Sequence, residues 1–423
     1  MFNKNLKTAI LNLMKKIFYL FLLLVPFHSY SQYTGTASVT QGLATTTSAN
    51  LYTCTNGRIT DIGSITATDA TVWTVPAVVN FTNTSFPFAS DLYNPCTSAT
   101  FATSALALAA LNGSDIINID ANGELITAFI FADNYFEMYI NGIAVGKDNV
   151  PYTQFNSNII RFRVNRPFTI AMLLVDWEEH LGLGSENSNG FLYHAGDGGM
   201  VAVFKDSTNN IIATTGSDWK AQTFYTSPII DLTCPAENGL QRLSNNCSTQ
   251  DSNNGTSYYG LHWSRPTSWM DASFNDSIFP TATTYTNATV GVNNKPAYTN
   301  FANIFDDPSN DAQFIWSTNL ILDNEVIVRH TVSSITGILQ NENINKAVHL
   351  YPNPARNEFQ IVFDNTITFN EIKNISIYNL YGEKVFETNK YSEKISLSTI
   401  PCGIYVVKIA IGDYQLSQKL IVQ

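Results

Sequence analysis

The chain has 423 residues, of which 13% are charged and 12% aromatic, and it carries a formal net charge of −11 at pH 7. A protein this acidic repels nucleic-acid phosphates and anionic membrane surfaces, and no basic cluster offsets the repulsion. Abundant Thr, Ser and Asn, with many β-branched and aromatic residues, point away from a cytosolic α/β enzyme and towards a secreted all-β protein of roughly two or three domains.

Residues 1–31 form the first expected element. Lys4, Lys7, Lys15 and Lys16 precede the apolar run Ile17–Val25, and Ser29-Tyr30-Ser31-Gln32 follows it. A basic start, a short apolar core and a small-x-small cleavage site make a secretory signal peptide. The run is too short for a comfortable membrane span, which needs about 20 apolar residues. Met14-Lys15-Lys16 is an alternative start. Cleavage after Ser31 leaves Gln32 first and takes the formal charge from −11 to −15, through the loss of four lysines. No transmembrane segment is expected in the mature chain.

The cysteines are Cys54, Cys96, Cys234, Cys247 and Cys402. Export through an oxidising compartment favours disulfides, and the expected pairs are Cys54–Cys96 and Cys234–Cys247, with Cys402 left over. Spacing alone does not fix connectivity, but the absence of a CxxC motif argues against a zinc site.

Residues 32–115 are expected to form a Thr/Ser-rich β region, either separate or part of the central domain. A strand at Thr71–Val75 ends at Pro76. A helix over Ser104–Leu111 is expected to stop at Asn112-Gly113. Strands are then expected at Ile116–Asp120 and Leu125–Phe131. Tyr135–Ile140 runs through Asn141-Gly142 into Ile143–Gly146, a hairpin whose Asn-Gly pair supplies both positive-φ positions of a type I′ turn.

Ala132-Asp133-Asn134-Tyr135-Phe136-Glu137-Met138-Tyr139-Ile140-Asn141-Gly142 resembles the hairpin of galactose-binding-like jelly rolls. Met200–Phe204, Ile211–Thr215 and Ser217-Asp218-Trp219-Lys220 are similar to that fold's next segment. So are Trp269–Ser277 with Pro280-Thr281-Ala282, although Phe279 stands where Trp is usual. Phe314-Ile315-Trp316-Ser317 and Val326–Arg329 complete the likeness; in many relatives that last pair precedes the hairpin. The resemblance spans 116–333 and implies a jelly-roll β-sandwich; fold alone does not give function.

The densest polar cluster is Asp176-Trp177-Glu178-Glu179-His180, followed by Glu186 and Tyr193-His194-Ala195-Gly196-Asp197. Strand alternation would place Asp176, Glu178 and His180 on one face, with Trp177 and Glu179 on the other. Asp176, Glu178, His180, His194 and Asp197 are candidate metal ligands: the carboxylates suit calcium, and the histidines suit zinc or manganese. Trp177, Glu179, Tyr193, His262 and Trp263 are candidate ligand-binding residues, because aromatic faces stack on sugar rings. A hydrophilic loop and buried tryptophans explain the same residues without a ligand. No GxSxG, HExxH, P-loop or GxGxxG motif occurs, so no catalytic residue is assigned. Asp276-Ser277-Ile278 resembles a short O-glycosylation pattern of secreted proteins.

A linker over 334–346 leads to a strand-rich tail, 347–423. Strands are expected at Phe359–Phe363, Ile375–Leu380, Lys384–Glu387, Lys394–Leu397, Ile404–Ile409 and Gln415–Val422, with a turn at Gly412-Asp413. Pro352 and Pro354 mark the start. The motif Tyr351-Pro352-Asn353-Pro354, with Gly403, Tyr405 and Lys419 near the end, resembles the C-terminal sorting domain of type IX secretion cargo. That resemblance implies an immunoglobulin-like sandwich, export to the cell surface and the type IX machinery as partner. Three activities stay open for the central domain: non-catalytic binding of an extracellular glycan, an adhesin or structural role, and metal-dependent hydrolysis.

Overall fold

The computed structural model describes residues 33–55, 57–152, 155–308, 311–333, 348–363, 372–389, 394–411 and 414–423. The expected signal peptide, linker and Gly412-Asp413 turn lie outside them. The chain is nearly all β and divides into two compact units. The first comprises Met1–Ile119, Glu124–Arg163 and Ile170–His330; the second comprises Asp120–Gly123, Val164–Thr169 and Thr331–Gln423.

Two large sheets dominate the first unit, beside a three-stranded sheet, Thr45–Ser48, Ile62–Thr66 and Val72–Val75, and two short hairpins. The seven-stranded sheet runs in the order Ser38–Gln41, Tyr259–His262, Lys220–Ile229, Asp323–Val332, Phe168–Val175, Tyr135–Ile140 and Ile143–Lys147. The nine-stranded sheet is organised around Glu124–Asp133, Gly199–Lys205 and Ser157–Val164. Residues from 33 to 115 are woven into both sheets: Ser38–Gln41 pairs with Tyr259–His262, and Ser90–Asn94 pairs with Ser157–Val164.

All eight residues of Phe168–Val175 are buried, so this strand is covered on both faces. That explains its continuous apolar sequence, where a half-exposed strand would alternate. On one of those faces, Tyr135, Tyr139, Leu173, Val175 and Ile327 meet Phe81 and Phe86 from the N-terminal segment. Each such fully buried side chain stabilises the fold by about 1.5–3 kcal/mol.

Two charged residues fasten that segment. The Lys147 ammonium donates to the carbonyls of Asn80, Phe81 and Asn83 at 2.6, 2.8 and 2.9 Å. The buried Glu137 carboxylate accepts from the Asn80 side chain at 2.9 Å and from the Tyr135 and Tyr139 hydroxyls at 3.1 and 2.9 Å. Buried charges persist only with such partners.

The hairpin forms as its sequence demands, with Asn141 at φ 51° and Gly142 at φ 84°. The helix spans Ser104–Ala110, capped at its start by the Thr103 hydroxyl. Its end differs from expectation: Leu111 in extended backbone closes it, and Asn112 instead opens the short turn Gly113–Asp115. Cys54–Cys96 and Cys234–Cys247 are both disulfide-bonded, and Cys402 is free and exposed.

The second unit has a three-stranded sheet, Val348–Tyr351, Glu358–Phe363 and Ile395–Ser396. Its four-stranded sheet is ordered Lys384–Thr388, Ile372–Tyr378, Gly403–Ile411 and Tyr414–Val422. Alternating residues Phe359 and Ile361, Ile375 and Ile377, Val407 and Ile409, and Leu420 and Val422 supply one core. The prolines follow a first strand, Val348–Tyr351, that the sequence analysis did not assign. Between them, Asn353 donates to the carbonyl of Lys419 at 2.6 Å and accepts from the N–H of Ile421 at 2.9 Å, which ties the motif to the last strand. Tyr405 is buried and its hydroxyl donates to the Pro401 carbonyl at 2.8 Å, whereas Tyr351 is exposed.

Candidate ligand cavity and the buried carboxyls behind it

Three strand ends deliver acidic side chains to one region of the first unit. Asp133 ends Glu124–Asp133, Asp176 and Glu178 follow directly after Phe168–Val175, and Asp197 precedes Gly199–Lys205. Pairing of Gly199 with Asp133 brings the 196–199 turn alongside. Asn134 links two of these segments: its amide donates to the Asp133 carboxyl at 2.7 Å, and its side-chain oxygen accepts from the Trp177 N–H at 2.6 Å. A Cβ at Gly196 would overlap Oε1 of Glu178, so a side chain there would displace that carboxyl.

Asp133, Asp176 and Glu178 are buried. Both carboxyl oxygens of Asp176 and Oε2 of Glu178 have no hydrogen-bond partner. Burial pushes all three well above the usual carboxylate range, reinforced by the neighbouring acids, among them Asp197 for Asp133 and Asp176. Burial and the neighbouring acids therefore favour the protonated forms, because charges this close cannot all ionise in a poorly solvated interior. Asp197 is less deeply placed and is pushed up to about 6, chiefly by burial, with the Glu186 charge adding and His194 and Lys295 opposing.

Asp197 also lines a cavity of about 570 Å³ with His194, Gly196, Asn245, Cys247, Thr249, Tyr285, Thr289, Thr318 and Asn319. The Cys234–Cys247 disulfide braces this wall. Cys247 is buried, while Asn245 and Thr249 beside it are exposed. Asn245, Thr249, Thr289, Thr318 and Asn319 supply amides and hydroxyls, while Ala195, Leu320 and Ile321 make much of the wall apolar. Such a surface matches a ligand that both donates and accepts hydrogen bonds.

The expected metal set does not assemble. Asp176 and Glu178 do adjoin, but alternation fails beyond Val175, where the strand ends, and His180 turns away. Its ring packs on Tyr193 at 4.6 Å, and its nitrogens face Ser185 at 3.5 Å and Glu179 at 3.6 Å. Burial lowers the His180 pKa. His194 pairs with Asp251 at 2.5 Å. Among the described residues, no group of three or more His, Cys, Asp or Glu is arranged to hold a metal ion.

The aromatic candidates are mostly structural. Trp177 is fully buried, with its indole N–H on the Asp61 carbonyl at 3.0 Å. His262 is buried between Trp73 and Tyr225, with ring centroids at 5.2 and 4.4 Å, and burial pushes it down to about 3. Trp263 is buried against Arg242 and donates to Glu237 at 3.1 Å. None of these three offers a free face for stacking. Glu179 is engaged by Arg58 and by the Asn187 side chain at 2.6 Å. Tyr193 is half-buried beside Gly255. Asp133, Tyr285, Asn245, Thr249, Thr318 and Asn319 were not singled out from sequence. Only Asp133 stood within a quoted motif.

No curated protein matches the chain. Among solved structures it is similar to a β-glucuronidase of Faecalibacterium prausnitzii at 10% identity, over 92% of this chain and 45% of that one, with a TM-score of 0.17. A second likeness is to dimeric latent PorU of Porphyromonas gingivalis, at 12% identity over 91% and 34%, with a TM-score of 0.13. The chain thus spans less than half the length of either, and similarities this slight identify no activity. Residues 349–423 match the secretion system C-terminal sorting domain. The tail is therefore a type IX sorting domain that engages the secretion machinery, and the protein is cargo delivered to the outside of the cell or to the outer-membrane surface.

Proposed function

We propose that the first unit is a non-catalytic module that binds an extracellular glycan in the cavity beside Asp197. The observation that carries this reading is the lining. Asn245, Thr249, Thr289, Thr318 and Asn319 place amides and hydroxyls beside the apolar Leu320 and Ile321, and the volume of about 570 Å³ suits a small saccharide segment. Delivery to the cell exterior places the module where glycans are found. Hydrolysis is less well supported. Asp133, Asp176 and Glu178 are too buried to reach a glycosidic bond, leaving Asp197 without a second carboxyl across the cavity.

A glycan array probed with the full-length protein tests the reading. Binding to a defined saccharide class, lost in an Asn245→Ala/Thr249→Ala double variant, supports it. Absence of binding to any glycan, or binding unaffected by that variant, overturns it.

A further inference from the structure

The cavity wall carries a charge asymmetry that the glycan reading alone does not use. Asp197 is the acidic residue of the lining, and no Lys or Arg lines the cavity with it. Its carboxyl makes no hydrogen bond to the protein among the described residues. The Glu178 and Asp176 carboxyls behind Gly196 favour their neutral forms, so the charge of the wall is that of Asp197. Asp176 and Glu178 keep buried oxygens without partners. The one imidazole in the lining, His194, is held by Asp251.

The Asp197 carboxylate repels a carboxylated or sulfated saccharide, because like charges are costly to bring together without intervening water. It attracts a positively charged group. A bare metal ion does not use a cavity of about 570 Å³ with a single carboxylate in its lining. The ligand that matches both features is rich in hydroxyls and carries a cationic nitrogen.

We propose that the cavity selects amino sugars bearing a free amine, with the ammonium seated on the Asp197 carboxylate and the sugar hydroxyls on the flanking Asn and Thr side chains. This rests on the glycan reading and deepens it. Lys295, which lies near enough to Asp197 to influence its titration, has its ammonium over the Phe155 ring at 4.3 Å and leaves the Asp197 carboxylate for the ligand.

The test compares glucosamine oligomers with their N-acetylated counterparts, using full-length protein at physiological ionic strength. The free-amine oligomers are expected to bind roughly tenfold more tightly, as one charge-assisted hydrogen bond predicts. In Asp197→Asn, which keeps the side-chain shape, the ratio of the two affinities is expected to fall to about one. Equal or tighter binding of the N-acetylated oligomers by the wild type overturns the proposal. So does a preference that survives in Asp197→Asn, which would mark a non-specific attraction of a polycation to an acidic protein. If other glycans bind and neither oligomer does, amino-sugar selectivity falls and the glycan reading stands. If no glycan binds, both fall.

Discussion

Gly196, in the cavity wall, stands directly in front of Glu178: the space a side chain on the glycine would take is occupied by the buried glutamate carboxyl. Gly196→Ala forces that carboxyl, 5% exposed, to move within a packed interior. We expect a loss of about 1–3 kcal/mol, the usual cost of overpacking, seen as a lower urea midpoint. A midpoint equal to that of the wild type would contradict the placement.

The buried acids set an unusual pH dependence. Burial pushes Asp148 up to about 8 and Glu325 up to about 7, and it raises Asp133, Asp176 and Glu178. The folded chain therefore keeps protons that the unfolded chain releases above about pH 4. Stability contributed by these groups is present below that point and declines as pH rises, until Asp148 itself ionises near pH 8. Each group contributes a slope of roughly 1 kcal/mol per pH unit within its own window. The urea midpoint of the full chain should be lower at pH 8 than at pH 5, with a shallower decline in Asp148→Asn. A midpoint that rises between those values rules the assignment out.

Alkylation of the folded, oxidised protein should modify one thiol, Cys402, since the other four cysteines are bridged. Replacing both Cys234 and Cys247 with Ser should cost roughly 2–4 kcal/mol and weaken ligand binding, because Cys247 lies in the cavity wall. Modification of three or more thiols in the wild type would mean that a bridge is absent.

Asn353 explains why the sorting motif places an amide between two prolines. Asn353→Ala removes both hydrogen bonds to the last strand, at a cost of roughly 1–2 kcal/mol. Faster proteolysis of the C-terminal unit and reduced surface delivery are expected. Asn353→Asp keeps the acceptor for Ile421 and should fall between the two. Proteolysis and delivery at wild-type levels in Asn353→Ala would show that the clamp is dispensable.

Much of the tail was legible because each strand buries alternate residues, as Ile375 and Ile377 do, so periodicity carries the information. The Asn141-Gly142 hairpin was legible for a different reason: the turn is local, and two residues determine it. The acidic region was only half legible. Asp176 and Glu178 adjoin, but side-chain direction after Val175 is set by loop contacts such as Trp177 to Asn134, which no periodicity encodes. Trp177 is a sugar-stacking candidate by residue type alone, yet it is fully buried and donates its indole N–H to the Asp61 carbonyl of the N-terminal segment. The cavity was illegible in principle. Asp197, Asn245, Tyr285 and Asn319 meet only once distant strands have paired.

If a saccharide sits in the Asp197 cavity, Thr249→Trp must displace it, since Thr249 is an exposed lining residue whose enlargement fills the cavity without touching the core. Equilibrium binding of the best array glycan should weaken by roughly tenfold or more, with an unchanged urea midpoint. Binding equal to that of the wild type in a variant of equal stability would contradict the account.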